Sequence, residues 1–139
     1  MVRPRSVCAV TISVDFGTAN TVDAVSEQGE YLGGAIFPGI EISLDALFAR
    51  AAMLRRVELV APKNVIGKST IEAMQSGVVY GYSGQVDGLV DRFEAELGKC
   101  SVVSTGGLAE LIMPHCRTIQ HYEPWLTLQG LRLVYERNR

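Results

Sequence analysis

The spacing of apolar and polar positions divides the chain into a strand-rich opening and a helix-rich remainder. Val7 to Phe16 is a run of small and β-branched residues with few charges, the pattern of a buried strand. Gly17 to Asn20 interrupts it as a turn, and Thr21 to Ser26 alternates as a second strand. After the turn signal Glu27-Gln28-Gly29-Glu30, Tyr31 to Phe37 predicts a third strand. Gly33 and Gly34 lie inside that run, where glycine marks a bulge or a close backbone approach. Short turns between consecutive strands predict an antiparallel meander.

Beyond Pro38-Gly39 the period becomes helical. Leu44, Leu47, Phe48, Ala51 and Leu54 form one apolar stripe, with Ser43 as expected N-cap, Asp45 in the first turn and Arg55-Arg56 closing the helix. Val57 to Lys63 reads as a linker. A much longer helix is predicted from near Ser69, with Ile71, Met74, Val78, Tyr82, Val86, Leu89, Phe93 and Leu97 at apolar steps of three or four, ending at Gly98-Lys99. Gly77, Gly81, Gly84 and Gly88 share one stripe of it. Each costs about 1 kcal/mol against alanine in a helix interior, so the stripe predicts a close-packed neighbour, and a subunit interface is one form of that. A break of the helix at one of these glycines is the competing expectation. Asp87, Asp91 and Arg92 exclude a membrane dimer motif. Ser101 to Ser104 then predicts a strand, Leu108 to Met113 a brief helix stopped by Pro114, and Thr118 to Trp125 an irregular aromatic stretch. Leu126 to Asn138 is a final amphipathic helix with Leu128, Leu131, Val134 and Tyr135 expected inward. The order of elements predicts an α/β domain with a mixed sheet.

Composition narrows the class. The 139 residues make one domain, 47% hydrophobic and 20% charged, which excludes disorder. A net charge of −2 gives no general pull on nucleic acid or anionic lipid. Cys8, Cys100 and Cys116 are odd in number and scattered, which suits a reducing compartment. No membrane-spanning run or signal core is visible, so the expectation is a cytoplasmic protein.

Several local patterns carry candidate chemistry. Asp15-Phe16-Gly17-Thr18-Ala19-Asn20-Thr21-Val22-Asp23 places a carboxylate, a glycine and two hydroxyls after an apolar run, a turn able to meet a cation and a phosphate. An ordinary hairpin turn explains the same residues. Thr105-Gly106-Gly107 at a strand end leaves room for a flat ring or ribose against backbone, although a Gly-Gly turn is also common punctuation. Gly67-Lys68-Ser69-Thr70 is not a P-loop, because Pro62 stands where the first glycine belongs. It reads as a helix N-terminus capped by Ser69 or Thr70, where an anionic substrate group could sit. Asp15-Phe16-Gly17 matches the protein-kinase magnesium triplet only by chance, with no catalytic loop beside it. His115, Cys116 and His121 match no metal template, and Tyr122 and Trp125 read as packing anchors.

Together these segments resemble the type III pantothenate kinases, of the actin, sugar-kinase and Hsp70-like ATPase superfamily. The pieces run in family order. They are Asp15 to Asp23, Tyr31 to Gly39, Ile66 to Thr70, Gln75 to Gly77, Gly81 to Gly84, Val86 to Leu89, Thr105 to Ala109, and Leu126 to Leu131. The resemblance implies an actin-like, ribonuclease H-like domain, residues 1–139 being the family's C-terminal half. It implies ATP-dependent phosphorylation of pantothenate, the first step of coenzyme A biosynthesis, with Mg²⁺ and a monovalent cation, K⁺ or NH₄⁺.

By the same resemblance Asp15 would hold the monovalent cation, Gly17 and Thr18 the ATP phosphate, and Thr105, Gly106 and Gly107 the adenosine, with Thr70 on pantothenate. A homodimer through the glycine stripe is expected, and neither nucleic acid nor membrane as partner. Asn20 departs from the threonine usual in the family. The first phosphate loop, Asp-x-Gly-Asn-Thr, and the Gly-x-Asp-Arg motif that carries the general base do not occur; Gly88 to Arg92 has one residue too many. The chain alone is therefore expected to be inactive. A non-catalytic nucleotide-binding or dimerisation fragment, or an accessory regulatory protein, is the alternative.

Overall fold

The computed structural model describes residues 10–51 and 54–139. Three strands open it: β1 (Thr11–Phe16), β2 (Ala19–Val25) and β3 (Tyr31–Pro38), followed by the helix α1 (Ile40–Arg50). An extended stretch leads to α2 (Thr70–Leu97), and then to β4 (Ser101–Thr105) and a four-residue helix, α3 (Ala109–Ile112). A short 3-10 turn (Met113–His115), β5 (His121–Tyr122) and α4 (Leu126–Arg137) complete the described chain. One sheet holds all five strands in the order β3-β2-β1-β4-β5. β1 pairs antiparallel with β2 and β2 with β3, whereas β4 runs parallel to β1 and β5 parallel to β4. The mixed α/β class is as expected. The part of the first strand expected over residues 7–9 lies outside the described residues.

The core lies on one face of this sheet. Ile12, Val14 and Phe16 alternate inward from β1, as do Val22 and Ala24 from β2 and Val102 from β4. They meet Ile40 and Leu44 of α1, Val79, Val86 and Val90 of α2, and Ala109 and Ile112 of α3. α2 is 28 residues long, about 42 Å at 1.5 Å per residue, and carries the longest continuous contribution. Ser69 caps it, its hydroxyl accepting from the Glu72 N–H at 3.2 Å, and Gly98 ends it at a φ of 83°. Asp87 ties its middle to the segment before β5. The Arg117 N–H donates to Asp87 at 2.9 Å, the Thr118 N–H at 3.0 Å and the Thr118 hydroxyl at 2.7 Å.

Tyr82 joins three elements. Its hydroxyl lies 2.6 Å from Ser43 Oγ, 3.1 Å from the Pro38 carbonyl and 3.3 Å from the Gly39 carbonyl, at the β3–α1 junction. Its ring stacks on Phe37. Gly33 and Gly34 do mark a close approach and an irregularity. The β2–β3 register shifts at Ala24/Val25, and a Cβ on Gly34 would stand 2.6 Å from the Val22 carbonyl oxygen.

Four expectations are corrected. α1 begins at Ile40 with Gly39 as N-cap, so Ser43 is a helical residue that meets Tyr82 rather than a cap. It ends at Arg50; Leu54, Arg55 and Arg56 are beyond it, and Arg56 reaches back to Asp45 at 2.7 Å. The reason is Ile40, fully buried, which starts the helix directly against the sheet. Along α2, a Cβ on Gly77, Gly81, Gly84 or Gly88 would meet nothing within 4 Å, so no described element of this chain packs against the stripe. α4 forms as expected, but Leu128, Leu131, Val134 and Tyr135 are 57–60% exposed and none of its residues is buried. Of the two aromatic anchors, Tyr122 packs on the core and Trp125 is exposed.

Candidate functional site

The C-terminal ends of β1, β4 and β5 point the same way, and the candidate chemistry collects at that end. Asp15 and Thr105 are paired across β1 and β4. Immediately beyond them Gly106 adopts a φ of 99°, which L side chains rarely adopt. A Cβ there would lie 2.6 Å from both the Asp15 carboxylate and the Phe16 backbone. Glycine is thus required where the two strand ends touch. The Leu108 N–H then donates to the Phe16 carbonyl at 3.4 Å, closing the β4–α3 turn over β1.

On the other side of Asp15, Gly17, Thr18 and Ala19, the first residue of β2, form an exposed turn closed by the Phe16–Asn20 pair. The Gly39 N–H donates to the Thr18 carbonyl at 3.1 Å. A Cβ on Gly39 would fall 2.2 Å from that oxygen, so this glycine lets the β3–α1 junction brace the turn. Thr18 is exposed, Thr105 is buried, and Gly107 is exposed at the opening of α3. The structure therefore brings Asp15, Gly17, Thr18, Thr105, Gly106 and Gly107 to one sheet end. Thr70 stands elsewhere, on a groove of about 430 Å³ between α1 and α2 that Ile40, Leu44, Met74 and Tyr82 also line.

Electrostatics favour a positive charge beside Asp15. Burial, and then the neighbouring Asp23 carboxylate, push its carboxyl above the ordinary value of 3.8. A partly buried carboxylate with a second one, Asp23, nearby suits a cation of low charge density. A magnesium ion asks for more, and among the described residues no group of three His, Cys, Asp or Glu side chains gathers to hold one.

At the start of α2 the Glu72 carboxylate already accepts the Lys68 N–H at 2.7 Å, and Gly67 is pressed against the Ala73 backbone. That helix N-terminus is capped from within, which leaves less of it for an anionic substrate group. His115 lies edge-on to Tyr80, ring centroids 5.3 Å apart. The Cys116 thiol is pushed up to about 12, by burial and then by Asp87.

One residue at this end was not marked by sequence pattern as a core residue. Asn20 is 1% exposed, and neither its side-chain oxygen nor its nitrogen has a hydrogen-bond partner. It pairs with Phe16, one step from Asp15, so strand alternation puts it on the opposite face from the Asp15 carboxylate. Counting the alternation back from Val22 and Ala24 finds it, because all three face the helices.

The model of the type III pantothenate kinase family matches residues 3–92. The chain belongs to that family. A type III pantothenate kinase from Moorella thermoacetica is 62% identical over 128 residues, covering 91% of this chain and 50% of the relative. Its counterpart from Saccharopolyspora erythraea is 60% identical over 132 residues, again 91% and 50%. The chain thus spans about half the length of the type III pantothenate kinases it matches. Among solved structures, a Baf family protein from Campylobacter jejuni superposes with a TM-score of 0.66 at 22% identity, over 94% of this chain and 59% of that one. At that identity the likeness is one of fold.

Proposed function

We propose that this chain is the C-terminal, ATP-phosphate-binding half of a pantothenate kinase of the actin-like, ribonuclease H-like superfamily, working in the cytoplasm. The reaction is transfer of the γ-phosphoryl group of ATP to the pantothenate hydroxyl, the first step of coenzyme A biosynthesis. The observation that carries this reading is the junction of Asp15 with Gly106 beneath the exposed Gly17–Ala19 turn. A carboxylate, a hydroxyl turn and a helix opening meet at the carboxyl ends of parallel strands, where α/β sheets take ligands.

In this reading Asp15 holds a monovalent cation, K⁺ or NH₄⁺, whose charge offsets that of the nucleotide. Gly17 and Thr18 offer an N–H and a hydroxyl to its phosphates, and Gly106 and Gly107 leave a flat surface for the adenosine. Thr105 is buried and shapes that wall from behind. Thr70 meets pantothenate from the α1–α2 groove. Phosphoryl transfer depends on positioning and charge stabilisation around both phosphates and the nucleophile, and this chain supplies one side of that arrangement. The glycine stripe of α2, open in this chain, is where a second copy would pack to form a homodimer.

The test compares the purified chain with a single polypeptide that joins it to the half of the Moorella thermoacetica enzyme it does not match. Pantothenate-dependent release of ADP is expected from the joined protein, dependent on K⁺ or NH₄⁺ and abolished by Asp15→Asn. None is expected from the chain alone. Turnover by the chain alone, or full activity of the Asp15→Asn protein, would overturn the proposal.

A further inference from the structure

Asn20 is a polar side chain that the packing of the core does not account for. Gln75, Ser76, Ser83 and Ser104 are also buried, and each donates to a backbone carbonyl, of Glu58, Val65, Tyr80 and His121 in turn. Among the described residues only Asn20, at 1% exposure, keeps both of its side-chain polar atoms without a protein partner. A buried amide left open carries a desolvation cost that an apolar side chain would not, and such a group calls for a reason.

A complementary group lies at the β3–α1 junction. Asn20 pairs with Phe37 of β3, so both side chains face the helical layer, and the Phe37 ring stacks on Tyr82 there. α1 begins just beyond Phe37. The first N–H groups of a helix have no acceptor within it, and the N-cap here is Gly39, with no side-chain cap. Ile40 is 0% exposed, so its N–H is shut away from water as well. An acceptor without a donor and a donor without an acceptor thus meet at one place. The same place touches the Gly17–Ala19 turn. The Gly39 N–H donates to the Thr18 carbonyl at 3.1 Å, and a Cβ on Gly39 would lie 2.4 Å from the Gly17 carbonyl oxygen. Asn20 follows Ala19 directly, so a change in the turn moves it relative to the end of α1.

We propose that Asn20 is a positioning residue for this turn: as the turn gathers a phosphate, the Asn20 amide oxygen accepts from the Ile40 N–H and locks the turn against α1. That bond removes two desolvation costs together, and the gain adds to the affinity for the phosphate. Asn20 itself touches no ligand, since it lies beneath the turn on the face away from the Asp15 carboxylate. The inference rests on the reading that the turn takes ATP phosphate, and it names the residue that carries the state of the turn into the core.

The test compares Asn20→Val with Asn20→Thr in the joined polypeptide, two replacements of nearly the same shape that differ in an acceptor oxygen. ATP is titrated with Mg²⁺ and K⁺ present and pantothenate left out, and hydrogen exchange is read at the Ile40 amide. ATP should slow that exchange in the parent and in Asn20→Thr, and leave it unchanged in Asn20→Val. Asn20→Val should weaken ATP binding about fivefold, the worth of one hydrogen bond, and Asn20→Thr should recover part of the loss. Urea unfolding of both variants separates lost affinity from lost fold. Parent-like ATP affinity in Asn20→Val, equal weakening by both replacements, or Ile40 exchange that ATP slows alike in all three proteins would overturn the inference and leave the phosphate reading of the turn in place. An absence of ATP binding by the parent would overturn that reading itself, and the inference with it.

Discussion

Asp15 holds its place at the expense of its own charge. Its carboxyl lies above the ordinary value of 3.8, through burial first and Asp23 second, so the folded state binds its proton more tightly than the unfolded chain does. Stability then falls as pH rises from about 3.8 through the raised folded value, and the full penalty is present above it. Asp15→Asn removes the penalty. Urea denaturation is expected to find the variant more stable than the parent at pH 7, with the gap closing as pH is lowered through that window. A variant that gains stability while the joined protein loses its activity marks a residue kept for binding rather than folding. Asn20 is the opposite case, a buried amide with no partner. Leaving such a group unsatisfied costs about 1–3 kcal/mol, so Asn20→Val is expected to raise unfolding free energy by about 1 kcal/mol or more in the same assay.

Elements were legible in the sequence wherever their periodicity had a partner inside the chain. α2 was placed to within a residue, because Ser69 caps it, Gly98 ends it, and Val78, Tyr82 and Val86 bury on one face. The beginning of α1 was missed. Gly39 has no side chain to signal a cap, and only the contact of Ile40 with the sheet decides that the helix starts there. α4 was found as a helix and misjudged as a packed one, since an amphipathic pattern says that a face is covered and not by what. The sheet end of the candidate site was readable as two glycine-containing turns after strands. Their meeting was not, because the Asp15–Gly106 contact spans most of the chain and depends on β4 lying beside β1.

The glycine stripe of α2 calls for the same distinction between a pattern and its partner. With open space at Gly84, alanine there gains helix propensity and meets no clash. Gly84→Ala is expected to stabilise the isolated chain by about 1 kcal/mol, measured by thermal or urea unfolding at low concentration. If the stripe packs against a second copy, the same variant should weaken self-association measured by sedimentation.

At the scale of the whole molecule, a single sheet face carries the core, and the candidate chemistry sits at one end of that sheet. The two are joined at Tyr82. Its hydroxyl lies against Ser43 and the Pro38 and Gly39 carbonyls, and Gly39 in turn braces Thr18. Removing that hydroxyl by Tyr82→Phe is expected to cost about 1 kcal/mol of unfolding free energy, with the fold retained in circular dichroism. The same side chain lines the α1–α2 groove beside Thr70. One aromatic residue thus touches the wall of one candidate ligand site and the brace of the other. Under the proposed function, a ligand that steadies the turn at Thr18 is expected to steady the groove at Thr70, and linkage would make the effect equal in both directions. Under the proposed function, two ligands bound there would each raise the other's affinity by the same factor, and Tyr82→Phe is expected to lower it, read by titrating one ligand in the presence of the other.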